Sequence, residues 1–265
     1  MKIGSQAERS SAISASNAET IVVRGRDLCG ELVGAITFTD HVWLLITGAL
    51  PGAAQRRVLD ATLVAIAEHG LVPSVAASRM TLAAAPEALQ GAVAAGILGC
   101  GSVILGSADA AARLFSSVHS RGEPPEAAAR AVLGELRAAR RPVPGYGHPL
   151  HKRQDPRVAR LLSVATECGL AGRYIEIAAL VERLVPEIWG KQLPMNVSGA
   201  IAAVLLDAGY PLLAVKGVPM LARTASLIAH LTEEQQRPIG FLLADEGAGA
   251  IEYDGQRPDG FEPGE

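Results

Sequence analysis

Residues 87–104 run through Ala, Gly, Ile, Leu and Val with almost no polar side chain. A segment that apolar on every side has no face to offer water, so it predicts a helix buried all round. Asn196 to Asp207 meets the same condition. Helices of this kind need a surrounding shell, and the 265-residue chain can supply one. It is 49% hydrophobic, about one residue in six is alanine, and only 4% are aromatic. Small and aliphatic side chains let helices approach closely, whereas β-branched and aromatic residues suit strands. The expectation is an all-α protein, built as one large domain or two interlocked ones.

The rest of the chain follows that period. Thr39-Asp40 can cap a helix carrying Val42, Trp43, Leu45 and Ile46, which Gly48 and Pro51 stop. Residues 56–69 place Val58, Leu59, Leu63, Val64 and Ile66 along one face. Further amphipathic helices are predicted at 107–117, 124–140, 156–169 and 171–188. A long one at 211–234 should break at Pro219. Thr20 to Asp27 is the one plausible small hairpin, and residues 1–18, rich in Ser, Ala and Asn, read as a mobile or partner-docked tail.

Several function classes drop out. Net charge is −3 and there is no basic stripe, which argues against nucleic acid as a partner. Apolar stretches are interrupted before membrane-spanning length, and the first twenty residues lack the apolar run of a signal peptide, so no membrane role is expected. Cys29, Cys100 and Cys168 are odd in number and widely spaced. They form neither a zinc pattern nor a disulfide framework, so the expectation is a reduced, cytoplasmic protein with no metal or prosthetic group. The chain has no P-loop, GxGxxG, HExxH or GxSxG motif.

The polar residues that remain stand out against this scaffold. Residues 140–149, RRPVPGYGHP, are too rich in Pro and Gly for a helix and form a loop holding His148. Asp155-Pro-Arg157 follows at a helix start, where a helix N-terminus plus a guanidinium fork suits a carboxylate or phosphate; a turn histidine and a surface arginine would read the same way. His69 closes a helix, either as a cap or as a ligand. Arg223 lies in a mainly apolar helix and needs an acidic side chain or a bound carboxylate if buried. Arg237 follows the same helix, and Lys152 and Lys191 are of the kind that cover surfaces. Two histidines with three arginines on an Ala/Leu scaffold suggest a small polycarboxylate ligand.

Residues 145–157, GYGHPLHKRQDPR, resemble the GxGH…DPR signature of the citrate synthase superfamily. The resemblance extends over about residues 20–255. RGRDL at 24–28 resembles the family's early hairpin, AEHG at 67–70 its DHG-type segment, and LARTASLIAH at 221–230 its ARxxGxxAH helix. The short chain looks most like the citryl-CoA lyase branch, related to the C-terminal module of ATP-citrate lyase. The resemblance implies an all-α, two-fold dimer or higher even oligomer, with a large domain at 19–104 and 206–265 and a smaller closing domain at 105–205. The apolar helices at 87–104 and 211–234 are candidates for the dimer contact.

The resemblance also implies roles. His69, His148, Arg157 and Arg223 match oxaloacetate-binding positions, and Arg237 matches an arginine supplied across a subunit interface. Lys152 and Lys191 fall where relatives hold coenzyme A phosphates. His148 would polarise the ketone carbonyl. The implied activity is lyase chemistry on a CoA thioester, citryl-CoA giving acetyl-CoA and oxaloacetate. The alternatives are condensation of a different acyl-CoA or 2-oxoacid, and a carboxylate- or CoA-binding pseudoenzyme. Two positions depart from the pattern. Ser198 stands where the family's NVD segment carries its catalytic aspartate, and Ile104 aligns with a histidine that holds the thioester oxygen. A serine hydroxyl is no general base at neutral pH without a base of its own. Cleavage instead requires removal of the tertiary hydroxyl proton, a task for His148, with Ser198, a water or His151 available to the departing enolate.

Overall fold

A computed structural model describes residues 10–147 and 154–261. His148, His151 and Lys152 therefore lie outside the described residues. The chain is helical, as its composition requires. The helices are α1 (Phe38–Thr47), α2 (Ala53–Ala67), α3 (Pro73–Ala84), α4 (Leu89–Leu98), α5 (Ser107–Ser120), α6 (Pro125–Ala138), α7 (Pro156–Glu167), α8 (Arg173–Trp189), α9 (Val197–Asp207), α10 (Gly217–Gln236) and α11 (Gly240–Gly249). The expected hairpin is present as β2 (Ile21–Val23) and β3 (Arg26–Asp27), antiparallel around Arg24 and Gly25, both at positive φ. The expected tail is not wholly a tail. Its Ser14–Ser16 segment, β1, pairs antiparallel with β2.

The chain divides into two compact units, with boundaries at 68/69, 99/100 and 223/224. This differs from the division expected from the resemblance. Residues 19–68 and 206–223 join residues 105–205 in the first unit, while 69–99 and 224–265 make the second.

In the first unit, Thr37 rather than Thr39 opens α1. Its hydroxyl accepts from Asp40 N, and Asp40 Oδ2 accepts from Thr37 N, a reciprocal capping pair. On α2 the buried face is Val58, Leu59, Thr62 and Ile66; Val64, expected inside, is 79% exposed. Helix α9 behaves as its sequence demands, with every residue from Val197 to Leu205 buried. Asp207 at its end accepts the N–H groups of Gly172, Tyr174 and Ile175, so a carboxylate on the last residue of α9 caps the start of α8.

The second unit contains the two helices that periodicity did not reveal, α3 and α11. The inward face of α3 is polar: Ser74, Ser78 and Arg79 are buried with Val75 and Leu82. Arg79 gives Nε to Glu234 at 2.6 Å and Nη1 to Glu233 at 2.9 Å. Glu234 also accepts from Ile239 N and Gly240 N, which starts α11. The apolar 87–104 segment is not one buried helix. α4 ends at Leu98, and only Ala92 and Gly96 on it are buried, while Leu98 is 85% exposed. Its small residues serve close packing. A Cβ on Gly96 would fall 2.6 Å from Leu227 Cδ1 and 2.9 Å from Ser74 O. Pro219 does not break α10, because it lies in the first turn, where proline is tolerated. The stretch Leu212–Gln236 is in fact long and apolar enough to cross a membrane by length and composition, contrary to the expectation. Its apolar side chains Val218, Ala222, Leu227 and Leu231 are buried within the protein itself.

Replacing Asp207 by Ala should cost about 1–2 kcal/mol, the range for losing a helix cap, read as a lower urea midpoint. The m-value should be unchanged, since the surface exposed on unfolding stays the same.

Candidate active site

The site is built around the loop that precedes His148. Gly145 and Gly147 adopt positive φ, +86° and +76°. Between them Tyr146 turns inward. It is buried, gives its hydroxyl proton to Ala178 O at 2.7 Å, and packs edge-on to Phe115. Burial, with Glu182 nearby, pushes its phenol well up and keeps it a neutral donor. The loop lies antiparallel to residues 194–196. Gly147 N donates to Pro194 O, Asn196 N to Gly145 O, and Asn196 Nδ2 to Gly147 O. A side chain would prevent this contact, because a Cβ on Gly199 would fall 2.6 Å from Gly145 O. The approach sets the first turn of α9 against the loop. Asn196 caps that turn by accepting from Ser198 N and Gly199 N.

Asp155 makes the second tie. Its buried carboxylate accepts Nε and Nη2 of Arg157 at 2.9 and 2.8 Å, the backbone N–H of Arg157, and that of Val197. One side chain thus caps α7, fixes the plane of the Arg157 fork and anchors α9 one residue before Ser198. Burial opposes its ionisation. The hydrogen bonds and charge of Arg157, with Val197 N–H, outweigh that and hold the carboxyl below its ordinary range. The fork anticipated from the sequence is therefore half-engaged within the protein.

Arg223 is different. It is 2% exposed, and its Nε and Nη1 have no hydrogen-bond partner among the described residues. Its pKa is lowered chiefly by burial. Glu68 and Cys100 act in the opposite sense, and Arg157 lowers it further by like charge. A guanidinium cannot escape by losing its proton at neutral pH. Among the described residues two of its donors are thus left buried without a partner, which for a charged group costs about 1–3 kcal/mol or more.

Ser198 is buried, and its Oγ accepts from Ser107 Oγ at 2.7 Å. Arg157, Ser198 and Arg223 all belong to the first unit. Lys191 also lies there, exposed, just past the left-handed Gly190 that ends α8. His69 and Arg237 belong to the second unit. His69 is half-buried beyond the end of α2, and the Arg237 side chain is 81% exposed, 3.6 Å from Glu233. Sequence reasoning missed a cationic hollow of about 520 Å³ lined by Arg137, Arg140, Arg141, Pro142 and Trp189, with the Arg137 guanidinium 5.9 Å from the Trp189 ring centroid. The Arg140-Arg141 pair beside the loop was its visible signal. The described residues contain no cluster of His, Cys, Asp or Glu suited to a metal ion.

Residues 53–240 match the family model for the citrate synthase C-terminal domain. The chain belongs to the citrate synthase family. Among solved structures, citryl-CoA lyase from Hydrogenobacter thermophilus is 30% identical with a TM-score of 0.83, and the alignment covers 96% of this chain and 97% of that one. Among curated relatives, the citrate synthase-like protein oryE of Aspergillus oryzae is 26% identical over 226 residues, 81% of this chain and 49% of its own length. An ATP-citrate synthase beta chain of Arabidopsis thaliana is 30% identical over 197 residues, 68% of this chain and 31% of its own. The chain thus spans about half or less of the curated relatives it matches. The two arginines thus differ in rigidity: Arg157 is locked by Asp155, while Arg223 Nε and Nη1 have no partner among the described residues.

Two outcomes follow. Asp155 stabilises the fold fully above its unfolded value of about 4, and that contribution is lost as pH falls through its lower folded value. Asp155→Asn should lower stability at pH 7 by about 2–4 kcal/mol. It should also flatten the fall in urea midpoint below about pH 4. Arg223→Met, which removes a buried, unsatisfied charge, should leave the ligand-free protein as stable as the parent or about 1–3 kcal/mol more so.

Proposed function

We propose that this protein is a carbon–carbon lyase acting on a CoA thioester, cleaving citryl-CoA to acetyl-CoA and oxaloacetate. The observation that carries the reading is Arg223, a buried cation whose Nε and Nη1 have no hydrogen-bond partner among the described residues. A dicarboxylate would supply the missing acceptors and offset the repulsion from Arg157. In this reading Arg157, Arg223, His69 and Arg237 hold the carboxylates, and Arg237 comes from the second copy of a homodimer. The exposed Leu98 and Val103 are the apolar surface that such a dimer would cover.

Cleavage is a retro-aldol step. His148 takes the proton of the tertiary hydroxyl, the C–O bond gains double-bond character, and the C–C bonding pair leaves as the thioester enolate. The arginines keep the oxaloacetate half in place as its ketone forms. Lys152 and Lys191 are assigned to the phosphates of coenzyme A. The Arg137, Arg140 and Arg141 hollow, with Trp189 as an aromatic wall, offers a second place for the anionic nucleotide end. The three cysteines, none in a disulfide among the described residues, fit a reducing, cytoplasmic setting.

The test is incubation of the purified protein with citryl-CoA while oxaloacetate release is followed. Turnover well above a His148→Ala control is expected, and Arg223→Met should lose most of kcat/KM. Equal rates in protein and control would sink the lyase reading. Oxaloacetate binding without turnover of any thioester would identify a pseudoenzyme instead.

A further inference from the structure

Ser107 begins α5, and Ser198 lies in the first turn of α9. The Ser107 hydroxyl is within 2.7 Å of Ser198 Oγ. Ser198 is buried and Ser107 is half-buried, so the pair runs from the interior toward solvent. Its inner end is tied through the backbone to Arg157: Val197, the residue before Ser198, donates its N–H to the Asp155 that grips Arg157. Asn196 Oδ1 accepts the N–H groups of Ser198 and Gly199, which fixes the turn that carries the Ser198 hydroxyl. A hydroxyl that accepts from another hydroxyl still has its own proton to give. Accepting also makes it a stronger donor, because bonds in a chain polarise one another.

Cleavage of a citryl thioester poses a proton problem that this arrangement answers. The carbinol oxygen loses one proton, and the α-carbon of the departing enolate must gain one. Serine is too weak a base to take a proton from acetyl-CoA. It can give one to an enolate carbon, because a thioester C–H is a weaker acid than an alcohol. We propose that Ser198 protonates the departing enolate at its α-carbon and that Ser107 positions Ser198 and resupplies its proton. The Ser198 proton forms the new C–H bond. The Ser107 proton passes along the hydrogen bond to Ser198, and water at the half-exposed Ser107 replaces it. The proton taken from the carbinol returns to solvent, so none is gained or lost overall. This inference rests on the lyase reading and adds Ser107, a positioning residue, to it.

The test compares the parent protein with Ser107→Ala, Ser107→Thr, Ser198→Ala and the double alanine variant. Each is given citryl-CoA in H₂O and in D₂O, acetyl-CoA formation is followed, and oxaloacetate affinity is measured in parallel by calorimetry. Ser198→Ala should lower kcat by about 10²-fold, the lower range for losing a proton-transfer group. Ser107→Ala should lower kcat by about tenfold. KM and oxaloacetate affinity should stay within about twofold in both, since neither serine is asked to bind the ground state. Ser107→Thr should recover most of the loss, and the double variant should be no slower than Ser198→Ala, because the two hydroxyls act in series. The solvent isotope effect should grow in Ser107→Ala. The relay is overturned, with the lyase reading intact, if the parent cleaves citryl-CoA and Ser107→Ala matches it. It is equally overturned if threonine fails to restore kcat, or if the two single losses multiply. A parent that does not cleave citryl-CoA overturns both.

Discussion

The buried carboxylate of Asp155 is the interaction on which the candidate site depends. It accepts from the Arg157 side chain, the Arg157 backbone and Val197 N–H at once. Four donors on one carboxylate repay its desolvation, which an isolated buried charge could not do. Without it, α7 would lack its cap, the Arg157 fork would be free to swing, and the first turn of α9 would lose its link to α7. A single residue thus converts two helix starts and a guanidinium into one rigid body, the kind of support a site needs to hold its geometry.

The chain satisfies some groups completely and leaves others wanting. Asp155, Asp207 and the Arg79–Glu234 pair all have partners. Arg223 does not find partners for Nε and Nη1 among the described residues, although it is buried as deeply as Asp155, Arg79 and Glu234. Polar groups inside proteins are usually paired, so such an exception marks a place where stability is given up for something else. An arginine that, as proposed, a carboxylate ligand would complete is that kind of exception. Ser198 adds to the picture. Where an aspartate would bring a second negative charge, a neutral hydroxyl hydrogen-bonds to Ser107, and this changes which proton transfers the site can perform.

Much of the helical framework was legible because burial imposes a period. The segment from Val197 to Leu205 is apolar throughout and is buried throughout. The helices α5 to α8 present aliphatic stripes, and each appears within a few residues of its expected span. The same rule failed on α3 and α11. The inner face of α3 includes Ser74, Ser78 and Arg79, whose burial depends on other segments: Arg79 pairs with Glu234, and Ser78 donates to Ala92 O on α4. It failed again at Val64 and Leu98, apolar residues that the chain leaves exposed. For the site, the motif from Gly145 to Arg157 was readable, but the engagement of the Arg157 fork by Asp155 was not, since two residues of opposite charge two positions apart need not pair.

By itself the sequence determined that this chain is helical, that its helices approach closely through Ala and Gly, and that it belongs among proteins carrying the GYGH…DPR loop. Those properties are local or compositional, so they survive without coordinates. Only the tertiary structure decided which side chains end up together. It set Gly145 against Gly199 and placed Ser107 on Ser198. It joined Arg157 to α9 through Asp155 and left Arg223 buried with two donors unpaired among the described residues. These are contacts between segments far apart in the chain, set by packing and by the need to satisfy buried polar groups, and no local pattern in the sequence encodes them.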